Sequence, residues 1–147
     1  MPHFTLPILP AGPVMDAWVG VSEARRVTLV SLNQPVPNPV QIRALVDTGA
    51  SSSCVDPSVM TTLALTPRGQ VQMSTPSTGT TPHTADQYDV SIFIPCGTNP
   101  PLVRRTVGVA CVELVASQGF HALIGRDILR SCLLTYNGAT GFFTLAY

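Results

Sequence analysis

The chain has 147 residues, enough for one domain with a real core and short of two comfortable ones. Its eight basic residues, all Arg, balance eight acidic ones, and charged residues make up only 11% of the sequence. That balance gives no electrostatic footprint for nucleic acid or an anionic membrane surface, and the sparse charge leaves little repulsion against self-association.

Residues 1–14 are apolar but interrupted by Pro2, Pro7, Pro10 and Pro13, which predicts an irregular N-terminal segment. The segment lacks a basic stretch and a continuous apolar core, and no run in the chain reaches the length of a membrane span. A cytoplasmic protein is expected. The rest is rich in Val and Thr and punctuated by 14 Pro and 11 Gly, a β-type composition. Strands are predicted over 15–22, 26–32, 40–46, 70–74, 87–94, 102–109 and 141–145. One helix is predicted over 57–65, where Asp56 stands as N-cap before Pro57, and a second over 126–132, after Gly125. The polar stretch 75–84 reads as the long tip of a hairpin. No repeat and no linker divides the chain, so residues 1–147 read as one mostly-β domain with one or two short helices.

Four cysteines, Cys54, Cys96, Cys111 and Cys132, form no Cys-x-x-Cys pair, and no His stands at metal-ligand spacing from them. They read as small, mostly buried hydrophobes, and neither metal nor cofactor is expected.

The informative segment is Leu45-Val46-Asp47-Thr48-Gly49-Ala50-Ser51. An apolar strand runs directly into a carboxylate, and burying an isolated carboxylate is expensive. Gly49 lets the backbone turn sharply and lets a ligand approach, and the Thr48 hydroxyl can bond across a tight loop. The pattern holds one acid rigidly at the mouth of a core. A second apolar-apolar-Gly pattern follows at Leu123-Ile124-Gly125-Arg126-Asp127-Ile128-Leu129.

Asp47-Thr48-Gly49-Ala50, followed in order by Ile124-Gly125-Arg126, resembles the paired signatures of retropepsin-like aspartic proteases, of the cellular or bacterial type. The resemblance implies a single-lobed acid-protease β-barrel, with Asp47 catalytic and Thr48, Gly49 and Ala50 forming the active-site loop. Ile124, Gly125 and Arg126 would form the structural turn beside that loop, and Phe120, His121 and Leu123 would line substrate pockets. A flap hairpin would span 70–94, with Thr78 and Gly79 near its tip. The chain departs from many viral members at Ser51 and Ser52, where they carry acidic residues, so Arg126 needs a different partner.

Aspartic proteases use two carboxylates sharing one proton, and this chain holds one Asp-Thr-Gly. The resemblance therefore implies a homodimer with Asp47 beside its own copy on a two-fold axis, acting on a polypeptide substrate. The family pairs chain ends between subunits. The candidates here are residues 2–9 and 142–147, although the last strand could instead pair within its own domain. The alternative from another class is a non-catalytic domain of the same fold, used for peptide binding or oligomerisation.

Overall fold

In β3 (Val40–Val46), Ile42, Ala44 and Val46 are buried while Gln41 and Arg43 are exposed, so a period-two pattern turns one face of the strand inward. The computed structural model describes residues 1–74 and 79–147, and Thr78 lies outside the described residues. Before β3 come β1 (His3–Pro7), β2 (Val14–Val21) and α1 (Glu23–Ser31). After it come β4 (Cys54–Val55), α2 (Pro57–Thr62), β5 (Gly69–Met73), β6 (His83–Cys96) and β7 (Asn99–Cys111). The chain ends with α3 (Val115–Gln118), β8 (Ala122–Ile124), α4 (Arg126–Leu129), β9 (Leu133–Asn137) and β10 (Phe142–Ala146).

Six strands close into a barrel in the order β2-β3-β8-β4-β7-β6, with β6 returning to β2. The long β6 makes closure possible: residues 83–87 pair with β5, and residues 90–93 pair with β2. Two pairings in the ring are parallel, β3 with β8 and β4 with β7, and both meet beside the loop that follows β3. A separate sheet, β1-β10-β9, packs beneath the barrel. Its Phe143 and Leu145 are fully buried in the main core with Ile124, Ile128 and Leu129. Each such side chain contributes about 1.5–3 kcal/mol through removal from water.

Three expectations change. Residues 26–32, predicted as a strand, belong to α1: the Ser22 hydroxyl caps the helix by accepting from the Arg25 N–H at 3.3 Å, and Glu23 pairs with Arg26 at 2.7 Å. Leu29 alone is buried there, while Val27 and Val30 face outward, so the β-branched run gave a false period. The N-terminal segment predicted as irregular contains β1, which tolerates Pro7 because it is an edge strand. Among the described residues four helices form where one or two were expected, two of them single turns. The two chain ends pair with each other in one chain, from His3↔Ala146 to Pro7↔Phe142.

Candidate active site

Parallel pairing of β3 with β8 sets Leu45 beside Leu123 and Val46 beside Ile124, although the partners are far apart in sequence. The register continues one step further, where the Asp47 N–H donates to the Ile124 carbonyl at 3.0 Å. The chain then leaves the core: Val46 is buried, Asp47 half-buried, and Thr48 and Gly49 exposed. Asp47 bends its own loop, because its Oδ1 accepts from the Gly49 N–H at 2.8 Å and from the Ala50 N–H at 3.3 Å. Among the described residues no group donates to Oδ2. One oxygen is thus fixed and the other is available to a reactant.

The loop is clamped from the opposite side. Gly125 lies so close that a Cβ there would sit 2.7 Å from the Ser52 carbonyl carbon and 3.0 Å from the Ala50 oxygen, both backbone atoms. No other residue fits without moving the loop. The Arg126 N–H donates to Ala50 O at 2.9 Å. Its Nη1 donates to the Thr48 and Gly49 carbonyls at 2.9 and 3.2 Å. In the absence of acidic residues at Ser51 and Ser52, the guanidinium has turned to the backbone of the loop itself.

Sequence reasoning missed two members of this clamp, Ser53 and Asp127. Ser53 is 0% exposed. Its hydroxyl accepts from the Gly125 N–H at 3.0 Å and donates to Asp127 Oδ1 at 2.8 Å, and its own N–H donates to Asp127 Oδ2 at 2.9 Å. The Ile128 N–H also reaches Asp127 Oδ1, at 2.9 Å. Asp127 stands directly after Gly125-Arg126, a position that could have drawn notice. Ser53 is the third of three consecutive serines and carries no mark of its own.

A cleft of about 520 Å³ opens beside Asp47 and runs along β5. Leu123, Cys54 and Ala110 form its floor, Val71 and Met73 one wall, and Gln87 and Gly108 its far end. Burial, then the carboxylates of Asp127 and Asp47 and the Cys111 thiol, push the Cys54 thiol up to about 11, which disfavours the thiolate. Leu123 reaches the cleft because it faces away from Ala122 and Ile124, which point into the core. Phe120 and His121 do not line it. Phe120 is 4% exposed and packs in a small cluster with Cys54, Ala85, Ala110 and Leu114. The ring of His121 accepts from the Arg43 N–H at 3.2 Å, and its backbone ties β3 to the turn before α2. Gly79 is exposed at φ +60°, with open space around it.

An aspartyl protease family pattern matches residues 22–95, half of the chain and the stretch that carries Asp47. The chain belongs to the aspartyl protease family. Its fold is retropepsin-like: a retropepsin-like aspartic protease from Rickettsia conorii superposes with a TM-score of 0.61 at 16% identity. That alignment covers 99% of this chain and 90% of the other. No curated protein matches this aspartyl protease family member in sequence. Both family landmarks, the Asp47 loop and the Gly125 turn, meet here through β3 and β8.

Proposed function

We propose that this chain is a homodimeric aspartic endopeptidase that hydrolyses peptide bonds with a water held between two Asp47 carboxylates. The observation that carries the reading is the Asp47 carboxylate itself: one oxygen is tied into its loop, no described residue donates to the other, and Asp47 lines a cleft of about 520 Å³ that runs along β5. Two such carboxylates brought together on a two-fold axis share one proton. The ionised partner takes a proton from the water as it attacks, and the protonated partner polarises the scissile carbonyl and then protonates the leaving amine. No covalent intermediate is required. The hairpin of β5 and β6 would close over the peptide, and Thr48, exposed in the single chain, would reach across the axis.

The deciding experiment is cleavage of a peptide library by wild type and by Asp47→Asn. Cleavage by wild type, acid-favoured and blocked by a statine-type transition-state mimic, is expected to vanish in the variant. Turnover that survives Asp47→Asn would exclude the mechanism.

A further inference from the structure

Gln87 stands in an unusually empty part of the sheet at the far end of the cleft. Pairing sets Gly69 of β5 and Ala110 of β7 directly opposite it, and sets Gly108 opposite Asp89, two residues further along β6. Residues two apart on a strand and their cross-strand partners share a face, so these side chains all project on the cleft side. A Cβ built on Gly69 would meet nothing within 4 Å, and one on Gly108 would come within 3.3 Å of Gln87 Nε2. The two glycines leave a hollow on either side of the Gln87 amide.

Arg68 fixes which way that amide faces. Its Nε and Nη2 both donate to Gln87 Oε1, at 3.4 and 3.3 Å, while Nη1 pairs with Asp89 at 3.2 Å. The backbone anchors the same contact, since the Arg68 N–H donates to Gln87 O at 2.8 Å. A guanidinium has only donors, so the amide oxygen must face Arg68 and the NH2 must face Gly108 and the cleft. Among the described residues Nε2 donates to nothing.

We propose that Gln87 is a specificity-determining residue whose NH2 donates to the side-chain carbonyl of an Asn or Gln in the extended peptide, with Arg68 as its positioning residue. The proposal rests on the peptidase reading above and names the substrate class at one end of the same cleft. The Arg68–Asp89 pair leaves this end without net charge, so a substrate carboxylate would lose its water beside Asp89 with no free cation to meet it. A Lys or Arg side chain finds Oε1 already occupied by Arg68. An apolar side chain covers the Gln87 donor and leaves it unsatisfied. A carboxamide accepts from Nε2 and keeps its own NH2 toward the open cleft.

Subsite profiling with a peptide library tests this, read as cleavage by wild type and as binding to the Asp47→Asn chain, which needs no turnover. Asn and Gln are expected to be enriched at one position in both, with Asp, Glu, Lys and Arg disfavoured there. Gln87→Leu should reduce that enrichment about five- to tenfold, the value of one neutral hydrogen bond. Arg68→Met made together with Asp89→Asn keeps this end uncharged and frees the amide to flip, so the same position should begin to admit Lys and Arg, a change of identity that mere loosening of the sheet does not produce. If Gln87→Leu does not fold, Gln87→Glu keeps the Arg68 pair and removes the donor, and its preference should reverse toward Lys and Arg. A flat wild-type profile overturns the proposal, as does a profile that all of these variants leave unaltered. Absence of cleavage by wild type fails the peptidase reading instead, while the binding profile still decides the role of Gln87.

Discussion

Two of the three hydrogen bonds that Ser53 makes run through its hydroxyl, which links the Gly125 N–H to the Asp127 carboxylate, and the third comes from its backbone N–H. Ser53→Ala removes the hydroxyl and leaves the buried Gly125 N–H without its partner, while the half-buried Asp127 keeps its two backbone donors. The expected loss is about 1–3 kcal/mol of stability, measured by denaturant unfolding. Gly125→Ala should cost more, since its added carbon meets backbone and not a movable side chain. The place of the Asp47 loop at the edge of the core was legible in the sequence because an apolar strand runs directly into Asp-Thr-Gly. Ser53 was not, because its partners lie more than seventy positions away and nothing near it in sequence distinguishes it from Ser51 and Ser52. Gln87 was hidden for a related reason: its meaning comes from the glycines opposite it, and strand register is needed to see them. Phe120 and His121 lie away from this cleft because sequence nearness to Leu123 does not fix which way a side chain faces.

Among the elements, α2 depends on one buried acid. Asp56 Oδ1 accepts from the Ser58 N–H and hydroxyl, and Oδ2 accepts from the N–H groups of Leu114 and Val115. Burial pushes this carboxyl up, but the Ser58 hydroxyl and the three N–H donors outweigh it and hold the group well below the usual carboxylate range. A depressed folded pKa contributes stability that is fully present above the unfolded value and is lost as pH falls through the folded one. Asp56 therefore still supports the fold in mild acid. Asp56→Asn is expected to lower stability by about 2–3 kcal/mol at neutral pH, with the gap narrowing only in strong acid, as followed by Tm across a pH series. The α1 helix makes the opposite prediction. Val27→Lys and Val30→Lys, both on exposed positions, should change stability by no more than about 0.5 kcal/mol, whereas a strand with these residues inward would not tolerate them. Helix α2 was readable from Asp56 followed by Pro57, a local signal. Helix α1 was not, because its cap, Ser22, is followed by residues of strand-like type and the decision lies with the surface on which the helix lands.

At the scale of the molecule, the barrel and the small sheet beneath it form one core, but the chain supplies one Asp-Thr-Gly where the proposed mechanism needs two carboxylates. Activity per chain is therefore expected to rise with protein concentration and then to level off, with the midpoint matching the monomer–dimer transition seen by light scattering. A rate per chain independent of dilution, in a protein that stays monomeric, would remove the second carboxylate and the mechanism with it. The chain ends were the part of the architecture least settled by sequence: the last residues read as β-prone and the first as irregular, pairing within one chain and pairing between two satisfy the same residues, and β1 meets β10 of its own chain. The order of landmarks, by contrast, was legible because each sits at the end of an apolar run.

The clamp on the Asp47 loop also sets a clock. Arg126 holds the Thr48 carbonyl across 78 residues of chain, and Asp127 holds Ser53 across 74. A ribosome releases Asp47 long before it makes either partner, so the nascent chain carries the acid without the loop that aims it. Such long-range closure is slow to form and comes late in folding. On the reading proposed above, the acid stays unaimed until most of this sequence has been made.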